Sequence, residues 1–174
     1  MEAFNPQIMN HELPKVEQLV FQPLEKDYLR VLIWSAIIRN LIFGFILLVA
    51  SFSVPYDVPE LLIKLVFAWF AIYVIWTFVS TIQGFKHKAY ALRDKDIVYK
   101  SGWLWKSMTT TPFNRVQHIT LDQGPIERQF KLSRIKVYTA GGAASDLTIP
   151  GLRPNTAEEI KDFIVKKTQM DEEE

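Results

Sequence analysis

The chain has 174 residues, with 20 Lys and Arg against 19 Asp and Glu, and 49% of it is hydrophobic. This length suits one soluble domain, or one small domain together with a membrane segment. The absence of cysteine excludes a disulfide scaffold, a thiol nucleophile and thiolate metal sites. The chain also lacks a recognition-helix or aromatic-plus-basic strand signature, so we expect no nucleic-acid binding.

The first 30 residues are interpreted as a cytoplasmic N-terminal tail, and residues 31–85 as a transmembrane helical hairpin. Two apolar segments, at about residues 36–54 and 61–82, each approach the 20 or so residues that a helix needs to cross a bilayer. Pro55 and Pro59 lie in the short connection between them. Arg39 and Lys64 lie near the ends of these segments, where their side chains can reach the headgroups.

The apolar segments allow two other interpretations. One is a pair of buried core helices in a soluble protein, which a chain of 174 residues is too short to enclose. The other is that Arg39 is an intramembrane charge in a transport path.

The distribution of basic residues predicts the orientation of the hairpin. The connecting loop has no Lys or Arg, whereas basic residues flank both outer ends, namely Lys15, Lys26, Arg30, Arg39, Lys86, Lys88, Arg93 and Lys95. By the positive-inside rule, both termini are expected in the cytoplasm of a multi-pass protein of the bacterial plasma membrane.

Residues 86–168 show short alternating runs that are typical of strands. The predicted strands cover residues 88–93, 97–101, 103–111, 115–121, 134–140 and 146–149, with a short helical turn within residues 123–132. A final helix is predicted to start at a capping box, Thr156 to Glu159. Its covering face is predicted to consist of Ala157, Ile160, Phe163, Ile164 and Lys167. The fold class is therefore α+β, with a small antiparallel barrel or two orthogonal sheets capped by a C-terminal helix.

Four short motifs in this second half resemble a known family. They are PFNRVQHI at residues 112–119, QGPIERQFKL at 123–132, YTAGG at 138–142 and IPGL at 149–152. In order and spacing they resemble the bacterial pleckstrin-homology-like domain of YdbS-type membrane-flanked proteins. The preceding two-helix hairpin is similar to the layout of that family.

The resemblance implies a pleckstrin-homology-like fold over residues 86–168. The residues after it, 169–174, are interpreted from their composition as an acidic tail. It also implies a non-enzymatic protein, often accompanied by a longer relative with several such domains. The motif residues that are candidate contacts are Arg115, Gln123, Gly124, Arg128, Gly141 and Gly142. Structural roles are the alternative, with the glycines permitting unusual backbone conformations and the arginines pairing with carboxylates such as Asp122 or Glu127.

Catalytic chemistry has little support in the sequence. His118 and Asp122 are four residues apart on a predicted strand, about 13 Å along the backbone, which is too far for a general acid-base couple. No nucleophile, phosphate-binding or dinucleotide motif occurs. We therefore expect no enzymatic activity, no metal and no cofactor.

The remaining hypothesis is a binding module. In the first form, the domain docks a membrane protein of the same family, with Trp103 and Trp105 as candidate contacts or, alternatively, as part of the core. In the second form, it reads anionic lipid or envelope stress through Lys86, Lys88, Arg93 and Lys95, which follow the second span. Membrane lipids are expected partners in either case, and self-association remains open.

Overall fold

The computed structural model describes residues 19–52, 58–142 and 146–172. The predicted connection between the two spans lies partly outside this range, as do most of the predicted N-terminal tail and the last two residues of the acidic tail. In chain order the elements are β1 (Gln22–Pro23), α1 (Asp27–Phe52), α2 (Glu60–Lys86), β2 (Ala89–Leu92), β3 (Asp96–Ser101), β4 (Ser107–Pro112), β5 (Val116–Asp122), α3 (Pro125–Gln129), β6 (Ser133–Thr139), β7 (Leu147–Leu152) and α4 (Pro154–Glu172).

The two long apolar helices pack against each other and expose the rest of their surface. Asn40 of α1 donates a hydrogen bond to the Thr77 hydroxyl of α2 at 3.0 Å, which places these residues at the same depth. Only 17% of the most apolar window of α1 and 6% of that of α2 are buried. Core helices of a soluble protein would be mostly buried, so that alternative is wrong.

Lys64 and Arg39 are the basic residues within the apolar segments of the two helices. Lys64 pairs with Glu60 at 2.9 Å, one turn apart at the start of α2. Arg39 is exposed at the surface of α1 and is the thirteenth of its 26 residues, so it lies at the middle of that helix. Both helices are long and apolar enough to span a bilayer.

Two antiparallel sheets follow the helices. The first has the order β1-β2-β3-β4 and the second the order β5-β6-β7. In β6, residues alternate between buried and half-buried, with Ile135 and Val137 inside, as the alternation of the sequence predicts. Within the described residues the sheets remain open and separate, so the fold is a pair of sheets and not a closed barrel.

The core lies between the two sheets and α4. Ile97, Phe113, Ile135, Ile149 and Ile164 are all fully buried there. The apolar stripe of α4 provides the cover. This confirms the α+β arrangement of two sheets and a C-terminal helix expected from the pattern, and the pleckstrin-homology-like fold that the resemblance implies.

The start of α4 differs from the prediction. The helix begins at Pro154, two residues before Thr156, and the Ala157 amide donates to the Arg153 carbonyl at 2.9 Å. Proline suits the first helical position because its fixed φ is helical. An amide N–H at this position has no acceptor within the helix, so proline forfeits no hydrogen bond by lacking one. The capping box at Thr156 was therefore wrong.

The helical hairpin and the domain share one core. Leu24, Tyr28 and Val31, which precede the apolar segment of α1, are buried with the residues of the sheets. β1 extends the first sheet by pairing Gln22 with Tyr90. The segment just before the first span, expected as part of a tail, is thus built into the domain where it is described.

Close contacts hold this junction together. The Glu25 amide donates to the Gly151 carbonyl at 3.1 Å, and Arg153 pairs with Asp27 at 2.7 Å. Gly151 has φ +69°, and a Cβ atom there would lie 2.4 Å from Cγ of Tyr28. Only glycine allows β7 to approach the first turn of α1 this closely.

Candidate interaction surfaces

The motif at residues 123–132 is organised around a buried carboxylate. Glu127 is only 2% exposed and accepts hydrogen bonds from the Gly124 amide at 2.8 Å and from Arg134 Nη2 at 2.7 Å. The hydrogen bond to Glu127 raises the pKa of Arg134 above its usual value, with burial acting in the opposite direction. This cluster fastens α3 to β6, so Gly124 and Glu127 have structural roles.

Sequence reasoning did not identify Arg134 as the partner of Glu127. It predicted that Asp122 or Glu127 would pair with Arg115 or Arg128. In the structure Asp122 pairs with Lys136 at 2.6 Å. The periodicity of β6 carried the missing signal, because Arg134 and Lys136 lie on the same face of that strand. Pairing across neighbouring elements cannot be read from spacing along the chain.

The two motif arginines are left available at the surface. Arg115 and Arg128 are exposed, and neither side chain has an ion pair or hydrogen bond among the described residues. Arg115 ends the short turn Phe113–Arg115 between β4 and β5, and Arg128 lies in α3. The structure therefore does not bring them together in one pocket.

The other motif candidates lie at separate turns. Gln123 is exposed between β5 and α3. Gly141 and Gly142 form an exposed turn after β6, where the Gly142 amide donates to the Thr139 carbonyl at 3.2 Å. These positions shape the chain between elements and do not converge on one site.

The outer edge of β4 is one of the unpaired strand edges among the described residues, and Arg115 follows this strand closely in the chain. Within the described residues, β4 pairs with β3 alone, and Ser107, Met108 and Thr110 are exposed. We call β4 together with Arg115 the docking edge. An unpaired strand edge offers backbone donors and acceptors to an added strand.

The four candidate lipid-facing cations do not act as a group. Lys88 Nζ lies 5.4 Å from the centroid of the Tyr28 ring, and burial lowers the pKa of Lys88 below its usual value. Arg93 pairs with Asp96 at 2.6 Å. Arg93 and Lys95 lie in the turn after β2, about 13 Å of strand away from α2. Of the four cations, Lys86 alone remains at the helix end without a described side-chain partner.

A different set of lysines surrounds Lys86. A cleft of about 290 Å³ is lined by Lys86, Lys100 and Lys106 together with His87 and the backbone around Gly102. Among the described residues, none of these three lysines forms an ion pair with a carboxylate. We call these residues the basic cleft, which lies where α2 leaves the apolar segment.

Trp103 and Trp105 are outside the core. The strand predicted over residues 103–111 begins only at Ser107, because Ser101 pairs with Ser107 and the intervening residues form the connecting loop. Leu104 and Trp105 are exposed by 62% and 89%. The ring centroid of Trp103 lies 6.0 Å from that of Trp76 in α2, so the loop lies against the hairpin.

The polar groups considered for catalysis have other neighbours. His118 stacks on Tyr138 across β5 and β6, with ring centroids 4.2 Å apart, and Asp122 pairs with Lys136.

A larger groove of about 430 Å³ between α1 and α3 is lined by Trp34, Ile38, Pro125, Ile126, Gln129 and Phe130. Its lining is apolar apart from the Gln129 amide and the indole N–H of Trp34.

The comparisons with known proteins agree with this architecture. The family model described as Bacterial PH domain matches residues 32–168. The chain is 26% identical over 107 residues to the UPF0699 transmembrane protein YdbS of Bacillus subtilis (strain 168), an alignment covering 58% of this chain and 65% of that protein. The chain thus matches less than two thirds of the relative's length, and no solved structure matches it. With its two apolar helices and its two antiparallel sheets covered by α4, the chain is a membrane protein that belongs to the bacterial PH-domain family and is similar to YdbS.

Proposed function

We propose that this chain is a non-enzymatic docking module of the bacterial plasma membrane. Both termini lie in the cytoplasm, and the PH-like domain presents the docking edge to a membrane protein partner. The expected partner is a relative that carries several such domains. The basic residues on the domain side of the hairpin, against none in the loop between the helices, support this orientation.

The observation that carries the proposal is the core shared by α1 and the sheets. Tyr28 packs on Gly151, and Arg153 joins Asp27, so the domain has a defined orientation on its anchor. A module held in this way meets a partner in the same membrane with little loss of rotational freedom. A flexible tether would not provide this advantage.

The docking edge supplies the contact. An added strand would hydrogen-bond to the backbone of β4, and the exposed Arg115 guanidinium would bind a carboxylate or backbone carbonyls of the partner. The apolar grooves and the pairing of Asp122 with Lys136 support a binding role over a catalytic one.

Co-purification tests this function. The full chain is tagged, extracted from native membranes in a mild detergent and analysed by mass spectrometry. We expect one membrane protein with bacterial PH domains in stoichiometric amount. Its loss from the Thr110→Lys, Arg115→Glu variant would support the docking edge, because a lysine blocks strand addition.

The matched control changes the same charges elsewhere. Gln169→Lys and Lys166→Glu lie on exposed positions of α4 and should retain the partner. Equal recovery with the docking-edge variant and with this control would refute the docking edge. Recovery of phospholipid without any protein would refute partner docking itself.

The basic cleft favours a second candidate function, the sensing of anionic lipid. Three lysines without carboxylate partners at the end of α2 suit a phosphate, since basic groups near an anionic leaflet contribute about 1 kcal/mol each. The full chain in nanodiscs should then melt at a higher temperature with phosphatidylglycerol than with phosphatidylcholine.

Matched lysine variants test the cleft. Lys100→Gln with Lys106→Gln should abolish the lipid-dependent difference in melting temperature. Lys95→Gln with Lys166→Gln, which removes the same charge at exposed positions outside the cleft, should preserve it. An equal loss in both variants would indicate unspecific charge attraction and exclude the basic cleft as a sensor.

A further inference from the structure

The loop between β3 and β4 exposes two large apolar side chains side by side. It comprises residues 102–106, and we call it the interfacial loop. Leu104 is 62% and Trp105 is 89% exposed. Adjacent apolar side chains of this size on the tip of a loop usually mark a surface that is covered by another apolar phase.

The topology places the interfacial loop at the membrane end of the domain. β2 leaves α2 and runs away from it, β3 returns, and Ala89 pairs with Lys100. The turn after β3 therefore lies level with the end of α2. The other turn of β3, around Asp94, lies at the opposite end of the strand.

The contact of Trp103 with Trp76 sets the depth of the loop. Trp76 lies ten residues before Lys86, where α2 ends, which is about 15 Å back along the helix axis. The two rings are 6.0 Å apart. The loop thus reaches back alongside the apolar part of a helix that spans the membrane.

A tight backbone turn holds the loop in this position. Gly102 has φ +96°, and a Cβ atom there would lie 1.8 Å from the Trp105 carbonyl oxygen. Any other residue would open the turn. Lys106 follows directly and lines the basic cleft with Lys86, which puts cationic groups beside the apolar tip.

We propose that the interfacial loop inserts into the bilayer, with Leu104 and Trp105 at the boundary between headgroups and acyl chains. The amphipathic Trp ring suits that boundary, and Lys106 reaches the phosphates. The loop is then a membrane contact of the domain additional to the hairpin, and it fixes the tilt of the domain. This inference depends on the spanning of α2 alone and not on docking by β4.

The chain has no cysteine, which permits a direct measurement. Trp105→Cys is labelled with an environment-sensitive fluorophore, and the full chain is reconstituted into nanodiscs of phosphatidylcholine and phosphatidylglycerol. The control is Asp94→Cys, since the Asp94 side chain is 86% exposed at the distal turn of the same strand. Both substitutions are at exposed positions and should preserve the fold.

We expect lipids spin-labelled near the glycerol end of the acyl chain to quench the label at position 105 and not the label at position 94. Aqueous iodide should show the reverse preference. Equal iodide quenching of both labels would overturn the proposal. A label at position 105 that is shielded from iodide but not quenched by lipid would also overturn it, because protein would then cover the loop.

Discussion

Replacing Gly151 with alanine tests the junction that fixes the domain on its anchor. The substitution adds one methyl group at a position with φ +69°, and that group would lie 2.4 Å from Cγ of Tyr28. Gly142 provides a matched control, because it has φ +74° while an added Cβ would meet nothing within 4 Å. The two variants share the backbone strain and differ in the steric overlap.

The magnitude follows from these two contributions. A left-handed conformation costs an ordinary residue about 1–2 kcal/mol, and overpacking a filled core costs a further 1–3 kcal/mol or so. Gly142→Ala should therefore lower the free energy of unfolding by about 1–2 kcal/mol. Gly151→Ala should lower it by about 2–5 kcal/mol.

Thermal unfolding of the full chain in detergent measures the difference. The PH-like domain at residues 86–168 is in the size range in which each kcal/mol corresponds to a shift in Tm of about 4–8 °C. Gly151→Ala should therefore melt clearly below Gly142→Ala. In a Tyr28→Ala background the extra loss at Gly151 should shrink, because the overlapping ring is gone. If Gly151→Ala and Gly142→Ala melt together, the shared core of α1 and β7 is refuted.

Further expectations concern single groups of the domain. Glu127→Gln should lower the free energy of unfolding by about 2 kcal/mol, which is less than the roughly 3–5 kcal/mol of a fully buried pair because Arg134 is 37% exposed. Asp122→Asn, at an exposed pair, should change the free energy of unfolding by less than about 1 kcal/mol. Equal shifts in Tm for the two variants would contradict this ranking. Burial raises the pKa of Tyr99, so the unfolded chain loses its proton first and stability should fall as the pH rises above about 10. Tyr99→Phe should flatten that fall in a series of melting curves, and an unchanged slope would count against it. Thr156→Ala should leave stability within about 0.5 kcal/mol in denaturant titrations, because α4 begins two residues earlier; a loss of about 1 kcal/mol or more would restore Thr156 as a cap.

The elements that follow from local patterning were predictable. Two apolar segments yield two long helices, and the alternation in residues 134–140 yields β6 with Ile135 inside. The stripe of α4 likewise follows from helical periodicity. In each of these cases the signal and the structure lie within the same stretch of chain.

Sequence reasoning failed where distant parts of the chain meet. Trp103 and Trp105 fit a strand by composition, yet the positive φ of Gly102 makes a loop there. Glu127 pairs with Arg134 and not with Arg115 or Arg128, because β6 passes beside α3. Arg93 and Lys95 follow the second span in the chain but lie at the far end of a strand in space.

The amino-acid sequence by itself determined the two membrane helices, the strand-rich second half and its covering helix, because hydrophobic periodicity depends on neighbours in the chain. Tertiary structure alone decided that Tyr28 belongs to the domain core and that the loop after β3 returns to Trp76. It also decided which lysines surround one cleft. The physical reason is that packing and charge pairing act between surfaces in space, and strand direction, which spacing does not reveal, determines which surfaces meet.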